Sequence, residues 1–339
     1  MSQPARCPAF RPAWWCRGAH LQTLWPVLVR RPPRVHLQRE RLELPDGDFI
    51  DLDWLSPLKT TGPLVVILHG LEGSSDSQYA RGLLAALDRR GWRAVVMHFR
   101  GCSGQPNRLP RSYHSGETGD LAYVISDLRA RSPHLPLGVV GYSLGGNVLL
   151  KWLGESGSRA IDAAVAVSVP YDLACAAERL ERGTSRLYQR ELVRRLHTSV
   201  ERKRMHVSLP LRVDVATLRT FRDFDEHVTA PLHGFRGADH YYAVASSRQY
   251  LRGIRVATLL LHARDDPFMT EQAIPRPDEL SVTTTLELSA RGGHVGFVGG
   301  TWPWRPCYWL EQRIPEFLQA RFARVPAHHA RPESAAVGA

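Results

Sequence analysis

The chain has 339 residues, 43% of them hydrophobic, so it is long and apolar enough to bury a large core. Its net charge of +11 comes with arginines that are spread along the whole chain, which argues against a nucleic-acid-binding surface. No apolar run has the length of a membrane span, and the five cysteines lack the spacing of a zinc site or a disulfide framework.

Strand and helix patterns alternate along the first part of the chain. Residues 39–44 and 49–54 flank a Pro-Asp-Gly-Asp turn and are predicted to pair as an antiparallel hairpin. The apolar runs 64–68 and 93–99 predict buried strands, and residues 117–131 carry the apolar spacing of a helix. This alternation predicts an α/β fold with a mostly parallel sheet.

Residues 135–153 form the most informative segment, because a β-branched apolar run breaks at a glycine-rich turn around Ser143 and resumes as a helix. A G-x-S-x-G sequence between a buried strand and a helix forms a sharp turn that lifts the serine hydroxyl above the sheet edge. Gly141 and Gly145 flank this turn, since a Cβ there would collide with neighbouring backbone. Ser143 is the predicted nucleophile, and the alternative is an ordinary turn with an idle serine.

A serine nucleophile also needs hydrogen-bond donors for the oxyanion that develops on the substrate. The strand 64–68 leads into His69, Gly70 and Leu71, and a loop at this place normally offers one backbone N–H. The second donor comes from the residue after the nucleophile. We therefore predict the backbone N–H groups of Leu71 and Leu144 as the oxyanion hole, with His69 as a structural hydrogen-bonding residue.

About 85 residues without a strong strand pattern separate the predicted strands 162–168 and 256–262, too many for a plain loop. The segment is predicted to be a helical lid over the active site, with a strongly basic helical portion at residues 178–204. Candidate walls of the acyl pocket are Leu71, Leu144 and some of the insertion's aromatic residues, which are Phe221, Phe224, Phe235, Tyr241 and Tyr242. The alternative is that the aromatic residues only attach the insertion to the core.

The strand 256–262 is followed by two aspartates, so two carboxylates compete for the role of the acid. Asp266 is preferred, because it precedes Pro267 and such a residue adopts an extended backbone at the loop mouth. Asp265 is expected to cap the turn or to pair with Arg264. The alternative is that both aspartates are only turn formers.

Position selects one base from the 15 histidines of the chain. His294 lies in a Gly-Gly-His-Val-Gly loop after the predicted strand 282–288, where a base can reach the serine. His262 lies within a strand, and His328 and His329 lie in a polar tail. The three selected residues follow the order Ser, Asp, His that is typical of an α/β-hydrolase.

Six segments carry a family resemblance: 18–26 (GAHLQTLWP), 69–75 (HGLEGSS), 99–104 (FRGCSG), 141–147 (GYSLGGN), 265–268 (DDPF) and 292–297 (GGHVGF). With these segments the chain resembles the YheT-type branch of the α/β-hydrolases, the group that also includes the eukaryotic ABHD1- and ABHD3-type proteins. The resemblance implies a serine carboxylesterase-like hydrolase. It also implies that the family's serine, second aspartate and histidine stand at Ser143, Asp266 and His294.

The predicted fold class is therefore the α/β-hydrolase fold, a mostly parallel central sheet flanked by helices, with a helical lid insertion. Residues 39–168 and 254–324 are predicted to form the core, and residues 169–253 the lid. Residues 1–38 are expected to pack on the core as an N-terminal extension. Residues 325–339 are expected to be a disordered tail.

The predicted function is cleavage of carboxylic esters through an acyl-enzyme intermediate, with short-chain or monoacylglycerol esters as candidate substrates. Two alternatives stay open: an acyltransferase, which passes the acyl group to an alcohol in place of water, and a catalytically silent binding protein of the same fold. No metal or cofactor is expected, because the chain contains neither H-E-x-x-H nor G-x-x-x-x-G-K-[ST].

The expected partner is a small-molecule or lipid ester and not a nucleic acid. Arginines cluster only at residues 179–204, and peripheral contact of this basic lid helix with acidic phospholipid stays open as an alternative. The apolar segment 14–26 is too short to span a bilayer and lacks a cleavable signal pattern. The predicted location is the cytoplasm.

Overall fold

The computed structural model of the protein describes residues 7–58 and 61–324. At its centre lies an eight-stranded sheet with the order β1-β2-β4-β3-β5-β6-β7-β8. Its strands are β1 (Leu37–Glu43), β2 (Phe49–Leu55), β3 (Leu64–Leu68), β4 (Arg93–Met97), β5 (Leu137–Tyr142), β6 (Ala163–Val167), β7 (Thr258–Ala263) and β8 (Thr284–Ser289). β1 and β2 pair antiparallel, as predicted, β2 is also antiparallel to β4, and the remaining pairs are parallel.

Helices pack on both faces of this sheet. The α-helices of the described residues are α1 (Ala19–Leu28), α2 (Gln78–Asp88), α3 (Gly119–Arg131), α4 (Leu144–Ser156), α5 (Leu173–Leu180), α6 (Ser185–Arg204), α7 (Phe221–Phe224), α8 (Ala230–His233), α9 (Ala238–Ala245) and α10 (Leu310–Phe322). Of these, α3 and α4 cover one face of the sheet, and α2 and α10 cover the other. The predicted mostly parallel sheet flanked by helices is confirmed.

The side chains of each strand alternate between the two faces of the sheet, so the strands contribute to two hydrophobic cores. Along β3, Leu64, Val66 and Leu68 join the core under α3 and α4, whereas Val65 and Ile67 join the core under α2 and α10. All five side chains are buried. A strand buried on both faces reads as a continuous apolar run, which is why this strand was predictable from the sequence.

A helical insertion (residues 169–253) separates β6 from β7 and contains α5 to α9. It also holds a π-helical turn (Asp225–Thr229) and two 3₁₀ turns (Val215–Thr217 and Ser247–Gly253). The basic portion predicted at residues 178–204 is interrupted, because α5 ends at Leu180 and α6 begins at Ser185. Gly183, between the two helices, has a φ of 56°, a conformation that glycine adopts at little cost.

In the N-terminal part, α1 contacts α2 and a short hairpin formed by β9 (Val298–Trp302) and β10 (Arg305–Tyr308). The sequence patterns did not predict this hairpin. Arg30, just after α1, forms an ion pair with Glu311 of α10. β1 begins inside the predicted extension 1–38. The predicted tail 325–339 lies outside the described residues. No helix within the described ranges has both the length and the apolar character needed to cross a membrane.

Candidate active site

Ser143 occupies the tight turn between β5 and α4. Its φ of 50° and ψ of −118° are strained for a residue with a side chain. The turn is compact because its flanking glycines have no side chain. A Cβ on Gly145 would lie 2.5 Å from the His69 carbonyl oxygen, and one on Gly141 would lie 2.5 Å from the Gly145 carbonyl oxygen. These close backbone contacts are the steric reason for the glycine spacing around the serine.

The three side chains predicted as a triad lie within hydrogen-bonding distance of one another. His294 Nε2 is 3.0 Å from Ser143 Oγ, and His294 Nδ1 is 2.9 Å from Asp266 Oδ2. Ser143 and Asp266 follow β5 and β7, and His294 follows β8, so parallel strands bring the three to one sheet edge. When Nδ1–H donates to Asp266, Nε2 is the acceptor for the serine hydroxyl.

Asp266 is buried, yet its surroundings favour the ionised form. Burial alone raises the pKa of this carboxyl, but the charge and hydrogen bond of His294 outweigh burial and hold the pKa below its ordinary value. Asp266 Oδ1 also accepts the backbone N–H of Phe268 at 2.8 Å. An ionised carboxylate in this place stabilises a protonated imidazole.

Asp265, the competing carboxylate, faces the backbone of the histidine loop. Its Oδ1 accepts the N–H of Gly293 at 2.9 Å. The predicted pair with Arg264 is wrong, because Arg264 forms its ion pair with Glu271, which extends from the next turn. The capping role predicted for Asp265 therefore applies to the loop that carries His294.

Two further hydroxyls hold the histidine loop, and the sequence analysis identified neither. Thr23 Oγ1 of α1 accepts the backbone N–H of His294 at 2.9 Å, and Ser168 Oγ accepts that of Val295 at 3.0 Å. Val295 has a φ of 59°, so the loop departs from ordinary backbone geometry at this point. These bonds fix the position from which the imidazole reaches Ser143.

The imidazole itself packs against an aromatic ring. The rings of Phe268 and His294 stack with centroids 4.0 Å apart and an angle of 4° between their planes. Tyr188 of α6 packs behind Phe268 at 5.0 Å. The sequence places Phe268 two residues after Asp266, but nothing in a single sequence shows that its ring covers the base.

The loop after β3 is held by two tyrosine hydroxyls. The Tyr79 hydroxyl accepts the backbone N–H of Gly70 at 2.8 Å, and the Tyr113 hydroxyl accepts that of Glu72 at 2.9 Å. The N–H of Leu71 lies between these two and donates to no other group within the described residues. The loop therefore presents one uncommitted backbone donor.

That donor lies close to the serine. A Cβ built on Gly70 would be 3.4 Å from Ser143 Cβ, so the loop passes directly beside the nucleophile. The N–H of Leu144 likewise has no acceptor in the described part of the chain. His69, before this loop, is buried and its Nε2 accepts the Phe99 N–H at 3.1 Å. It has the structural hydrogen bond predicted for it.

A family model described as the alpha/beta hydrolase fold matches residues 63–301. The chain belongs to the α/β-hydrolase family. It is 46% identical over 307 residues to YheT of Escherichia coli (strain K12), whose name includes the word esterase; the match covers 89% of this chain and 90% of that protein. It is 32% identical over 328 residues to the phospholipase ABHD3 of Mus musculus, covering 94% of this chain and 80% of that protein.

The esterase Pf2001 of Pyrococcus furiosus has the same fold, with a TM-score of 0.54 and 15% sequence identity over 86% of this chain and 100% of that one. The predicted fold and the resemblance to YheT-type proteins are both confirmed. The chain is an esterase- or lipase-type α/β-hydrolase.

Ser143 and His294 of this α/β-hydrolase open into a cavity of about 630 Å³. The helical insertion, the loop after β3 and α1 supply its walls. The predicted lining residues that contact it are Leu71, Leu144, Phe221, Phe224, Tyr241 and Tyr242. Phe235 is not one of the cavity's described lining residues, and its ring packs on His114, 5.3 Å away.

Metal ligands are not gathered at the site. Within residues 7–58 and 61–324, no three His, Cys, Asp or Glu side chains are arranged to hold a metal ion. The groups around Ser143 in this α/β-hydrolase are an imidazole, a carboxylate and backbone N–H groups.

His262 is a further buried histidine, and we expect it to lower the stability of the α/β-hydrolase in acid. Neither of its ring nitrogens has a hydrogen-bond partner among the described residues, and burial lowers its pKa from 6.5 to about 4. As the pH falls, this histidine is protonated at a higher pH in the unfolded chain than in the folded protein. The free energy of unfolding therefore falls as the pH drops from 6.5 towards 4. Between pH 7 and pH 4, the free energy of unfolding should therefore fall by about 3 kcal/mol less in His262→Leu than in the unchanged protein. Urea unfolding at the two pH values measures this difference. The exposed His206→Leu is the control, and an unchanged loss in His262→Leu would contradict the expectation.

Proposed function

We propose that this α/β-hydrolase cleaves carboxylic esters through a covalent acyl-enzyme intermediate on Ser143. The observation that carries the proposal is the hydrogen-bond chain from Asp266 Oδ2 through the imidazole of His294 to Ser143 Oγ. A serine hydroxyl is a weak nucleophile at neutral pH, and an adjacent base held by a carboxylate activates it. The relatives named as an esterase and a phospholipase support an ester as the substrate.

In the first half of the reaction, Ser143 Oγ attacks the carbonyl carbon of the ester while His294 Nε2 takes the hydroxyl proton. Asp266 stabilises the resulting imidazolium. The tetrahedral oxyanion accepts hydrogen bonds from the backbone N–H groups of Leu71 and Leu144. When the intermediate collapses, the bond to the alcohol oxygen breaks, and the alcohol leaves with the proton from His294.

In the second half, a water molecule replaces the alcohol. His294 removes one proton from this water as its oxygen attacks the acyl carbonyl carbon. The oxyanion forms again at the same two N–H groups. Its collapse breaks the bond to Ser143 Oγ, which recovers its proton from His294, and the carboxylic acid is released.

The helical insertion acts as the lid in this proposal, over a core formed by residues 39–168 and 254–324. It supplies the aromatic walls of the cavity and separates the reacting groups from bulk solvent, while the water that attacks the acyl-enzyme enters the cavity. A cavity of about 630 Å³ lies in the size range of pockets that enclose whole organic ligands. We therefore favour esters with an extended acyl chain, monoacylglycerols among them, over the shortest esters.

A panel of p-nitrophenyl esters from acetate to palmitate, together with a monoacylglycerol, tests the proposal on the purified protein. We expect kcat/KM to rise with acyl length until the chain fills the cavity and to fall beyond that length. Addition of glycerol as a competing acceptor measures acyl transfer, which would appear as product ester in place of free acid. A protein that hydrolyses no member of the panel would contradict the proposal.

A further inference from the structure

The helix α1 buries two polar residues and exposes three apolar ones. Gln22 and Thr23 are only 0% and 8% exposed, whereas Leu21, Val27 and Leu28 are 42%, 54% and 74% exposed. Gln22 is buried because its side chain bonds the backbone of Val298, donating to the carbonyl at 2.9 Å and accepting the N–H at 2.7 Å. A surface helix normally has the opposite arrangement. The outward face of α1 therefore leaves an apolar stripe in contact with solvent.

Exposed tryptophans lie beside this helix. The rings of Trp302 and Trp304, on the hairpin of β9 and β10, are exposed and stack 5.3 Å apart. Trp14 is also exposed, and its indole N–H donates to the Thr301 carbonyl at 2.8 Å, so it joins the same hairpin. Trp15 packs on Trp25 of α1 at 4.6 Å, which links the hairpin region to the helix.

The two segments that form this surface carry positive charge and no acidic residue. Residues 1–39 contain seven arginines and no Asp or Glu, and residues 288–310 contain Arg291 and Arg305 and no Asp or Glu. Arg17, Arg291 and Arg305 are exposed, as are Arg31 and Arg34 after α1. Apolar and indole side chains among arginines are the composition that inserts into an anionic membrane interface.

The apolar stripe continues into the cavity. Thr23, Leu24 and Val27 of α1 line the cavity that contains Ser143, although Val27 is also exposed at the surface. His20 of α1 also contacts the helical insertion, since its ring hydrogen-bonds Thr184, just before α6, at 2.7 Å and Tyr188 of α6 at 3.0 Å. A ligand lying against α1 therefore meets a wall of the cavity.

We infer that α1 and the tryptophan hairpin form a docking surface for an anionic phospholipid bilayer, here called the entry surface (Leu21, Leu28, Trp14, Trp302 and Trp304). In this arrangement the side chains of Leu21 and Leu28 enter the acyl region, the indoles lie at headgroup depth, and the arginines contact lipid phosphates. The docking step itself is independent of the ester chemistry. Its value to the enzyme, delivery of a lipid ester to Ser143, rests on the proposed function.

A bilayer fits this surface better than a second copy of the chain. Two copies meeting through the entry surface would bring two acid-free, arginine-bearing segments together, and like charges repel. An anionic bilayer has the complementary charge. The inferred docking surface is also distinct from α6, where Arg194 and Arg195 already form ion pairs with Glu191.

Sedimentation of the full chain with vesicles tests the inference. We expect the protein to bind vesicles of phosphatidylcholine with phosphatidylglycerol more tightly than vesicles of phosphatidylcholine alone, and to lose part of this difference at high salt. The variant Leu21→Glu/Leu28→Glu should lower the partition coefficient by about a hundredfold, because it removes two inserted leucines and adds two negative charges.

The matched control is Leu58→Glu/Val282→Glu, which makes the same kind of change at two exposed apolar residues outside the entry surface. We expect it to bind vesicles like the unchanged protein. Both double variants should hydrolyse p-nitrophenyl butyrate dissolved below its solubility limit at the unchanged rate, which also shows that they are folded. Ser143→Ala should bind vesicles normally, so failure of the ester chemistry and failure of docking are separable.

Three results would overturn the inference. The first is an unchanged protein that binds neither kind of vesicle. The second is a Leu21→Glu/Leu28→Glu variant that binds like the unchanged protein, which would move the contact to α6 or elsewhere. The third is a dimer in analytical ultracentrifugation that this variant dissociates, which would make a second copy the occupant of the surface.

Discussion

Ser143→Ala is expected to abolish covalent labelling by a fluorophosphonate probe and to lower ester turnover by about 10⁴- to 10⁶-fold. The reason is that the hydroxyl 3.0 Å from His294 Nε2 is the atom that forms the acyl bond in the proposed mechanism. Without it, water must attack the ester directly, aided only by binding and by the oxyanion donors. Labelling stoichiometry by intact-protein mass spectrometry and kcat/KM on a p-nitrophenyl ester provide the two measurements.

The matched control for this experiment is Ser158→Ala. Ser158 lies outside the cavity, between α4 and β6, and its hydroxyl accepts the backbone N–H of Ala160. This variant should be labelled at full stoichiometry and should retain its turnover. If Ser143→Ala were labelled as fully as the control, the nucleophile would be a different residue and the proposed function would have to be abandoned.

The second large effect concerns the two neighbouring aspartates. We expect Asp266→Asn to lower kcat by about 10⁴-fold, because the neutral amide neither holds the required histidine tautomer nor stabilises the imidazolium. Asp265→Asn should cost no more than about tenfold, since an amide oxygen can still accept the Gly293 N–H that Asp265 now accepts at 2.9 Å.

Steady-state kinetics of both variants on the same soluble ester decide between the two carboxylates. Circular dichroism and thermal melts establish that each variant is folded, since Asp266 is buried and its replacement also changes the hydrogen bond to Phe268. A larger loss for Asp265→Asn than for Asp266→Asn would reverse the assignment. Equal, small losses in both variants would show that His294 needs no carboxylate partner.

The three side chains proposed as a triad could be selected from the sequence because their signals are local. Ser143 stands between a continuous apolar run and a helical stripe, and Asp266 follows another such run, so each side chain is assigned to a strand end without any knowledge of tertiary contacts. Parallel strands then bring these ends to one edge. The choice between Asp265 and Asp266 depended on the restriction that Pro267 imposes on the preceding residue, and the choice of His294 among 15 histidines depended on its place in a loop after a predicted strand.

The contacts that support the triad could not be predicted, because they join distant parts of the chain. Nothing in the sequence around Thr23 indicates that its hydroxyl accepts the N–H of His294. The segment 14–26 reads as apolar and aromatic, and the sequence gives no sign that Gln22 is buried while Leu28 is exposed. The hairpin of β9 and β10 was missed for another reason: Gly299, Gly300 and two prolines dilute its strand pattern.

The bond between Thr23 and the histidine loop links positions 271 residues apart in the chain. Translation therefore produces Ser143 151 residues before His294, and α1 is synthesised before either of them. In the proposed mechanism, a nascent polypeptide that ends before His294 carries the serine hydroxyl without its base, so Ser143 is not activated until the histidine loop has been synthesised.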